Sequence, residues 1–183
     1  MDKKRLIREK YFLKRKKRFF EIKKTYFTPL ITLIKKMSYK KKLNISLYYP
    51  SNFEVNILKI LEINFFKKFN FSLPVINKKQ EMYFCKWKKQ DILYLNKYGI
   101  PEPKKSKKIN PKILLVPLLA FDKKKNRVGY GKGYYDKFLS KYLKRQKKLL
   151  TIGIAFSFQK HHNLPVNNKD FRLDHIITEE GII

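Results

Sequence analysis

Two apolar runs, "ILLVPLLAFD" at 113–122 and "LLTIGIAFSFQ" at 149–159, constrain this chain more than any other feature. Neither alternates polar with apolar residues, so a strand made from either must be covered on both faces. Between them lies "GYYDKFLSKYL", where Tyr135, Phe138, Leu139 and Tyr142 recur at helical spacing. Two buried strands joined by a one-sided helix read as a parallel crossover unit. Further strands are expected in "KLNISLYYP", with Leu43, Ile45, Leu47 and Tyr49 on one side, and in "NFSLPVIN", "EMYFCKW" and "DHIITEEGII". Helices are expected over residues 2–24, carrying Leu6, Leu13 and Phe20, after Pro29 through "LITLIKKM", and in "EVNILKILEINFFKKF". The last of these would bury Val55, Leu58, Leu61, Ile63 and Phe65. "YGIPEPKKSKKINPK", with three prolines, reads as a loop within one fold. The expectation is α/β architecture with a mostly parallel sheet, in one domain over residues 1–183.

The formal charge of +31 suggests a polyanion-binding surface. Yet 38 of the 45 cations are lysine and only seven are arginine, the residue that makes bidentate base and phosphate contacts. Alanine occurs twice, while Asn, Ile, Phe and Tyr abound, a bias that AT-rich codons produce without any ligand. The lysines are also spread along the whole chain, so no specific nucleic-acid partner is expected. Lysine and arginine interrupt every apolar stretch of the N-terminal segment, and no uncharged run has the length of a membrane span. With a single cysteine, Cys85, read as a core residue, the expected compartment is the cytoplasm, with no membrane partner.

Three of the six glycines stand on alternate residues in "RVGYGKGYYDKFL", between the first apolar run and the helix. The P-loop pattern fails because Gly133 follows Lys132, and G-x-G-x-G is not the dinucleotide fingerprint. What remains is the physics common to both. Alternate glycines free backbone N–H groups to face an anion, and a following helix N-terminus adds a favourable dipole. Arg127 and Lys132 supply charge, and Asp136 is placed to ligate magnesium. The plain alternative is a glycine-rich turn with a solvated lysine and a helix-start aspartate.

The longer string "NRVGYGKGYYDKFL" resembles the signature of the 5-formyltetrahydrofolate cyclo-ligase family. "YGIPEP", "ILLVPLLAFD", "TIGIAFSFQ" and "LPVNNKDFRLDHIITEEGI" follow the family's order and spacing, "KKRLIR" is similar to its opening helix, and "LYYPSNFEVN" to its first strand and loop. The resemblance implies a three-layer α/β/α sandwich like that of glucosamine-6-phosphate isomerase and the CoA-transferases. It also implies conversion of 5-formyltetrahydrofolate, with or without a polyglutamate tail, to 5,10-methenyltetrahydrofolate. ATP is the co-substrate and Mg2+ the metal, and a monomer is expected.

Residue by residue, the resemblance implies ATP contacts from Lys4, Arg8, Arg127, Gly129, Tyr130, Gly131, Lys132, Gly133, Tyr134 and Tyr135. Arg127, Lys132 and Tyr134 are the implied catalytic groups, and Asp136 and Asp174 the magnesium ligands. One of Tyr134 and Tyr135 would line the pterin pocket while the other packs in the core. Ser51, Glu54, Asn56, Trp87, Glu102 and Tyr134 are the implied folate contacts, with Tyr83 as a further aromatic face. Asn56 departs from the family pattern, which has an acid at that position; Glu54 is close enough in sequence to compensate. Two other readings compete with this one: a nucleic-acid-binding protein, and a family member that has kept ATP binding but acts on another formamide or has lost activity. His161 and His162 have no acidic or cysteine neighbour and read as loop residues.

Overall fold

In the computed structural model, which describes residues 2–37, 43–104, 107–145 and 148–183, the two apolar runs lie side by side. In chain order the strands are β1 (Asn44–Ser46), β2 (Asn70–Ile76), β3 (Met82–Trp87), β4 (Leu93–Leu95), β5 (Pro101–Pro103) and β6 (Ile113–Pro117). They continue with β7 (Ala120–Phe121), β8 (Arg127–Val128), β9 (Leu150–Ile154), β10 (His175–Thr178) and β11 (Gly181–Ile182). The α-helices are α1 (Lys3–Arg18), α2 (Thr28–Lys36) and α3 (Tyr134–Arg145). Among the described residues the central sheet has seven strands in the order β11-β10-β9-β6-β1-β2-β3, and β4–β5 and β7–β8 form separate ribbons. Its inner pairings are parallel, and β3 and β11 are antiparallel edges.

Alternation along β6 sets the layers. Ile113 and Leu115 enter one core with Ile45, Leu73, Ile152 and Leu30 of α2, while Leu114 and Val116 enter a second with Ile176 and Leu139 of α3. Burying each such side chain stabilises the fold by about 1.5–3 kcal/mol. A third, smaller cluster packs Tyr11 of α1 against Leu119, Ala120 and Val128. The fold is thus the three-layer α/β arrangement with a mostly parallel sheet. Leu43, Ile45 and Leu47 are buried on one side as their alternation requires, and Cys85 is fully buried. Lys42, Lys105 and Ser106, within two of the expected segments, lie outside the described residues.

Several boundaries differ from the sequence expectation. The run at 113–122 breaks after Pro117, because proline has no N–H to continue the ladder; the chain resumes as β7, paired with β8. Residues 55–68 form short 3₁₀ segments, Ile57–Glu62 and Asn64–Lys68, instead of an α-helix. Ile57, Ile60 and Phe66 are buried, a spacing in threes that fits three residues per turn and the poor α-propensity of β-branched side chains. The first helix ends at Arg18, and Leu6 and Leu13 are exposed at 44% and 64%. Its buried face is Tyr11 and Arg15. "DHIITEEGII" turns back on itself as β10 and β11, and the proline-rich stretch contributes β5, paired with β4.

Candidate active site

A cleft of about 1090 Å³ opens where α1 and the start of α3 meet Pro117 at the end of β6, Tyr48 after β1, and Ile76 of β2. Seven lysines and arginines face four carboxylates along its lining, so the cleft is basic beyond its acidic complement.

The glycine loop, residues 129–133, forms one wall. Gly131 has φ +91°, a conformation that L side chains rarely adopt, and a Cβ there would stand 3.1 Å from Arg8 Cζ. Glycine is therefore needed for backbone shape and for the approach of α1. Arg8 Nε donates to the Gly129 carbonyl at 3.0 Å, and its guanidinium lies 3.6 Å from the Asp2 carboxylate. One turn earlier on α1, Lys4 pairs with Asp170. Arg127, the first residue of β8, is buried and donates to Asp136 Oδ1 at 2.6 Å and to the Phe171 carbonyl. Phe171 N–H adds a 3.3 Å bond to the same Asp136 oxygen. Asp136 Oδ2 accepts no hydrogen bond among the described residues. Lys132 is exposed, with its ammonium 5.8 Å from the Tyr98 ring centre, and the Tyr98 and Tyr134 hydroxyls share a 2.7 Å hydrogen bond. Burial and that bond push Tyr134 up to about 12.

The opposite wall is the turn 51–54. Asn52 and Phe53 both have positive φ, 49° and 61°, which for residues with side chains is strained backbone. Glu54 is buried, its Oε2 accepting from Ser51 N–H at 2.9 Å and from Ser51 Oγ at 3.4 Å. Its Oε1 accepts from the Tyr130 hydroxyl at 2.8 Å. Burial raises the Glu54 carboxyl above its ordinary value, and the charge of Arg15 opposes that rise.

Residues 1–179 match the model of the 5-formyltetrahydrofolate cyclo-ligase family. The chain belongs to that family. This cyclo-ligase family member is 32% identical over 163 residues to a probable 5-formyltetrahydrofolate cyclo-ligase of Schizosaccharomyces pombe, a match that covers 79% of each chain. It is 32% identical over 141 residues to the cyclo-ligase of Haemophilus influenzae, across 73% of this chain and 74% of that one. The solved structure of Aquifex aeolicus 5,10-methenyltetrahydrofolate synthetase superposes with a TM-score of 0.75 at 30% identity, covering 98% of this chain and 91% of that one. The synthetase of Mycoplasma pneumoniae gives 0.68 at 27% identity, with 97% and 98% covered. The family member is thus an enzyme of the cyclo-ligase class. No helix among the described residues is long and apolar enough to cross a membrane.

In this cyclo-ligase family member, every ATP contact that the resemblance implies lines the cleft, as do Ser51 and Glu54. Tyr134 and Tyr135 both line it, and of the two only Tyr135 packs on the second core, so Tyr135 takes the expected core place while keeping one side to the cleft. Five other residues fall outside the lining. Trp87 is 3% exposed and belongs to the first core, because its place on β3 opposite Phe71 turns it inward. Asn56 precedes the 3₁₀ segment Ile57–Glu62, and its side chain makes no capping hydrogen bond there among the described residues. Glu102 accepts from Ile76 N–H and Asn96 Nδ2, both at 3.2 Å, fastening the β4–β5 ribbon to β2. Asp174 Oδ2 accepts from Thr151 N–H and Oγ1, both at 2.8 Å, which joins the starts of β9 and β10. Pro117 in the cleft is level with Ile154, three residues further along β9 and about 10 Å away at strand rise. The structure therefore does not bring Asp174 to the cleft with Asp136. Tyr83 also lies outside the lining, its ring 4.8 Å from the Lys108 ammonium.

Among the described residues no cluster of three or more His, Cys, Asp or Glu side chains could cage a metal. Magnesium commonly takes one or two carboxylates with phosphate oxygens and water. Asp136, with one oxygen unengaged, fits that donor set. Tyr98 and Asp170 are among the cleft residues that were not expected, and Arg15 stands behind the cleft. The signal for Arg15 is its spacing: Lys4, Arg8, Tyr11 and Arg15 share one helical face.

Proposed function

We propose that this chain, as a cytoplasmic monomer, closes 5-formyltetrahydrofolate to 5,10-methenyltetrahydrofolate with ATP as co-substrate and Mg2+ as metal. The observation that carries the reading is that the glycine loop and the Ser51–Glu54 turn face one cleft and meet through Tyr130. A triphosphate against the loop and a folate against the turn would then lie within reach of each other.

The formamide oxygen is a poor leaving group, and phosphorylation makes it a good one. The γ-phosphoryl group passes from ATP to the formyl oxygen and ADP leaves. N10 attacks the activated formyl carbon and releases its proton to water or to the leaving phosphate, and phosphate departs with that oxygen to leave the methenyl bridge. Little covalent work falls to the protein, which supplies positioning and charge. Arg8 and the loop N–H groups hold the triphosphate, with Lys4 beside them. Arg127 and Lys132 balance charge as the phosphoryl group moves. Magnesium held by Asp136 would neutralise phosphate oxygens. Tyr134 orients the folate beside the loop, and Ser51 and Glu54 hold its polar edge. The lysine-rich exterior accommodates a polyglutamate tail and makes no sequence-selective nucleic-acid contact.

The test is the absorbance band of the methenyl product after mixing protein, ATP, magnesium and 5-formyltetrahydrofolate. The band should appear only in the complete mixture. Its absence there, with the protein folded, sinks the reading.

A further inference from the structure

Arg15 is 1% exposed, a costly place for a guanidinium; its two terminal nitrogens find acceptors, while Nε finds none among the described residues. It stands on α1 behind the cleft, where Nη1 donates to the Leu118 carbonyl at 3.2 Å and Nη2 donates to the Tyr130 hydroxyl. The guanidinium also lies 5.5 Å from the Tyr130 ring centre. A phenol that accepts one hydrogen bond can still donate its own proton. Tyr130 donates that proton to Glu54 Oε1 at 2.8 Å. The chain of bonds therefore runs from a fixed helix, through the middle of the glycine loop, to the carboxylate on the opposite wall.

The far end of that chain is a turn under strain. Asn52 and Phe53 hold positive φ, and Phe53 packs edge-on against Phe19, the residue that caps α1, with ring centres 6.0 Å apart. One helix end thus grips the turn at Glu54 through Tyr130 and at Phe53 through Phe19. Such strain persists only where the surroundings over-determine it. A carboxylate whose two oxygens take fixed donors is also fixed in plane and direction, which is what recognition of a flat polar edge requires.

We infer that Arg15 and Tyr130 form a positioning relay that sets the direction of the Glu54 carboxylate and ties the folate-side turn to the nucleotide loop. The inference rests on the proposed role of Glu54 as a folate contact. Neither relay residue need touch the reacting atoms. Their effect is read in folate affinity and in its dependence on the nucleotide. With the loop ordered by ATP, Tyr130 is already in place, so nucleotide and folate should bind more tightly together than apart.

The experiment measures 5-formyltetrahydrofolate binding by calorimetry, with and without a non-hydrolysable ATP analogue, together with KM for each substrate and kcat. The proteins are wild type, Tyr130→Phe, Arg15→Lys, Glu54→Gln and the Tyr130→Phe/Glu54→Gln double variant. Tyr130→Phe removes one oxygen and keeps the ring, so it tests the relay even if an Arg15 variant fails to fold. It should weaken folate binding about tenfold, the size expected for a lost hydrogen bond to a charged group. It should also abolish the enhancement by nucleotide and raise the KM for folate several-fold more than the KM for ATP, because the Tyr130 ring and backbone stay in the loop. In the Glu54→Gln background it should add little, because the relay has lost its end point. Equal losses for both substrates, full additivity in the double variant, or unchanged folate affinity in Tyr130→Phe would each overturn the relay. If wild type binds folate but forms no methenyl product, the proposed function fails, and the binding arms still decide the relay.

Discussion

Replacing each glycine of the loop by alanine separates backbone strain from steric contact, because the three differ in geometry. Gly129 has ordinary φ and nothing within 4 Å of an added Cβ. Gly133 has φ +68° and the same open space, so alanine there meets strain alone. Gly131 combines φ +91° with a Cβ 3.1 Å from Arg8 Cζ and 3.2 Å from Nε. Holding alanine in the left-handed region costs ~1–2 kcal/mol. Displacing Arg8 from the Gly129 carbonyl adds about 1 kcal/mol, less than a full charge-assisted bond because Asp2 remains nearby. Gly129→Ala should be neutral or slightly stabilising, Gly133→Ala should lose ~1–2 kcal/mol, and Gly131→Ala about 2–3 kcal/mol. For a domain of this size each kcal/mol lowers Tm by roughly 2–4 °C, within reach of thermal denaturation followed by circular dichroism. ATP titration supplies the second readout. Gly131→Ala should weaken ATP as Arg8→Ala does, and the double variant should be little worse than either single one. Equal stability losses at all three positions, or additive ATP losses in the double variant, would refute the account of the loop.

Gly153 lies in β9, where an added Cβ would stand 2.8 Å from both Leu118 Cδ2 and Leu173 Cδ1. Gly153→Ala should cost roughly 1–3 kcal/mol by overpacking, measured by urea denaturation. Asp136→Asn should cut turnover by orders of magnitude, partly recovered by excess magnesium. Asp174→Asn should lower Tm through the lost Thr151 bonds and leave the magnesium dependence of the rate unchanged. Burial raises the Glu54 pKa above the ordinary 4.5, so folding favours its protonated form. The Glu54 contribution to stability is therefore full below pH 4.5 and is lost as pH rises through the higher folded value. Glu54→Gln should flatten that decline, visible as a smaller stability difference between acid and neutral pH than in wild type.

The crossover unit was legible because β6 and β9 are apolar on both faces and α3 on one, patterns that only a covered parallel sheet satisfies. The 3₁₀ segments were not. A burial period of three, as at Ile57 and Ile60, is close enough to 3.6 to read as an α-helix over so few turns. The glycine loop was legible through its spacing and its resemblance to a family signature. Trp87 and Asn56 were not, because a residue's place beside a family motif does not say which way its strand or turn faces. Arg15 was only partly legible: its spacing puts it on the helical face of Lys4, Arg8 and Tyr11, but among so many exposed cations nothing in the string marks it as buried. Only the body packed against α1 distinguishes it from Lys14 and Lys16 beside it.

Neither of the two larger cores contains a residue of α1. The same helix brings Lys4, Arg8 and, through Tyr130, Arg15 to the cleft. Architecture and chemistry are in that sense separable in this chain. Excision of residues 2–18 should leave a sheet that still melts cooperatively, with little affinity for either substrate. The excised segment, offered back as a synthetic peptide, would be the missing half of a two-piece enzyme. Its return could be followed as recovered ligand binding, much as a key is recognised by the lock it turns.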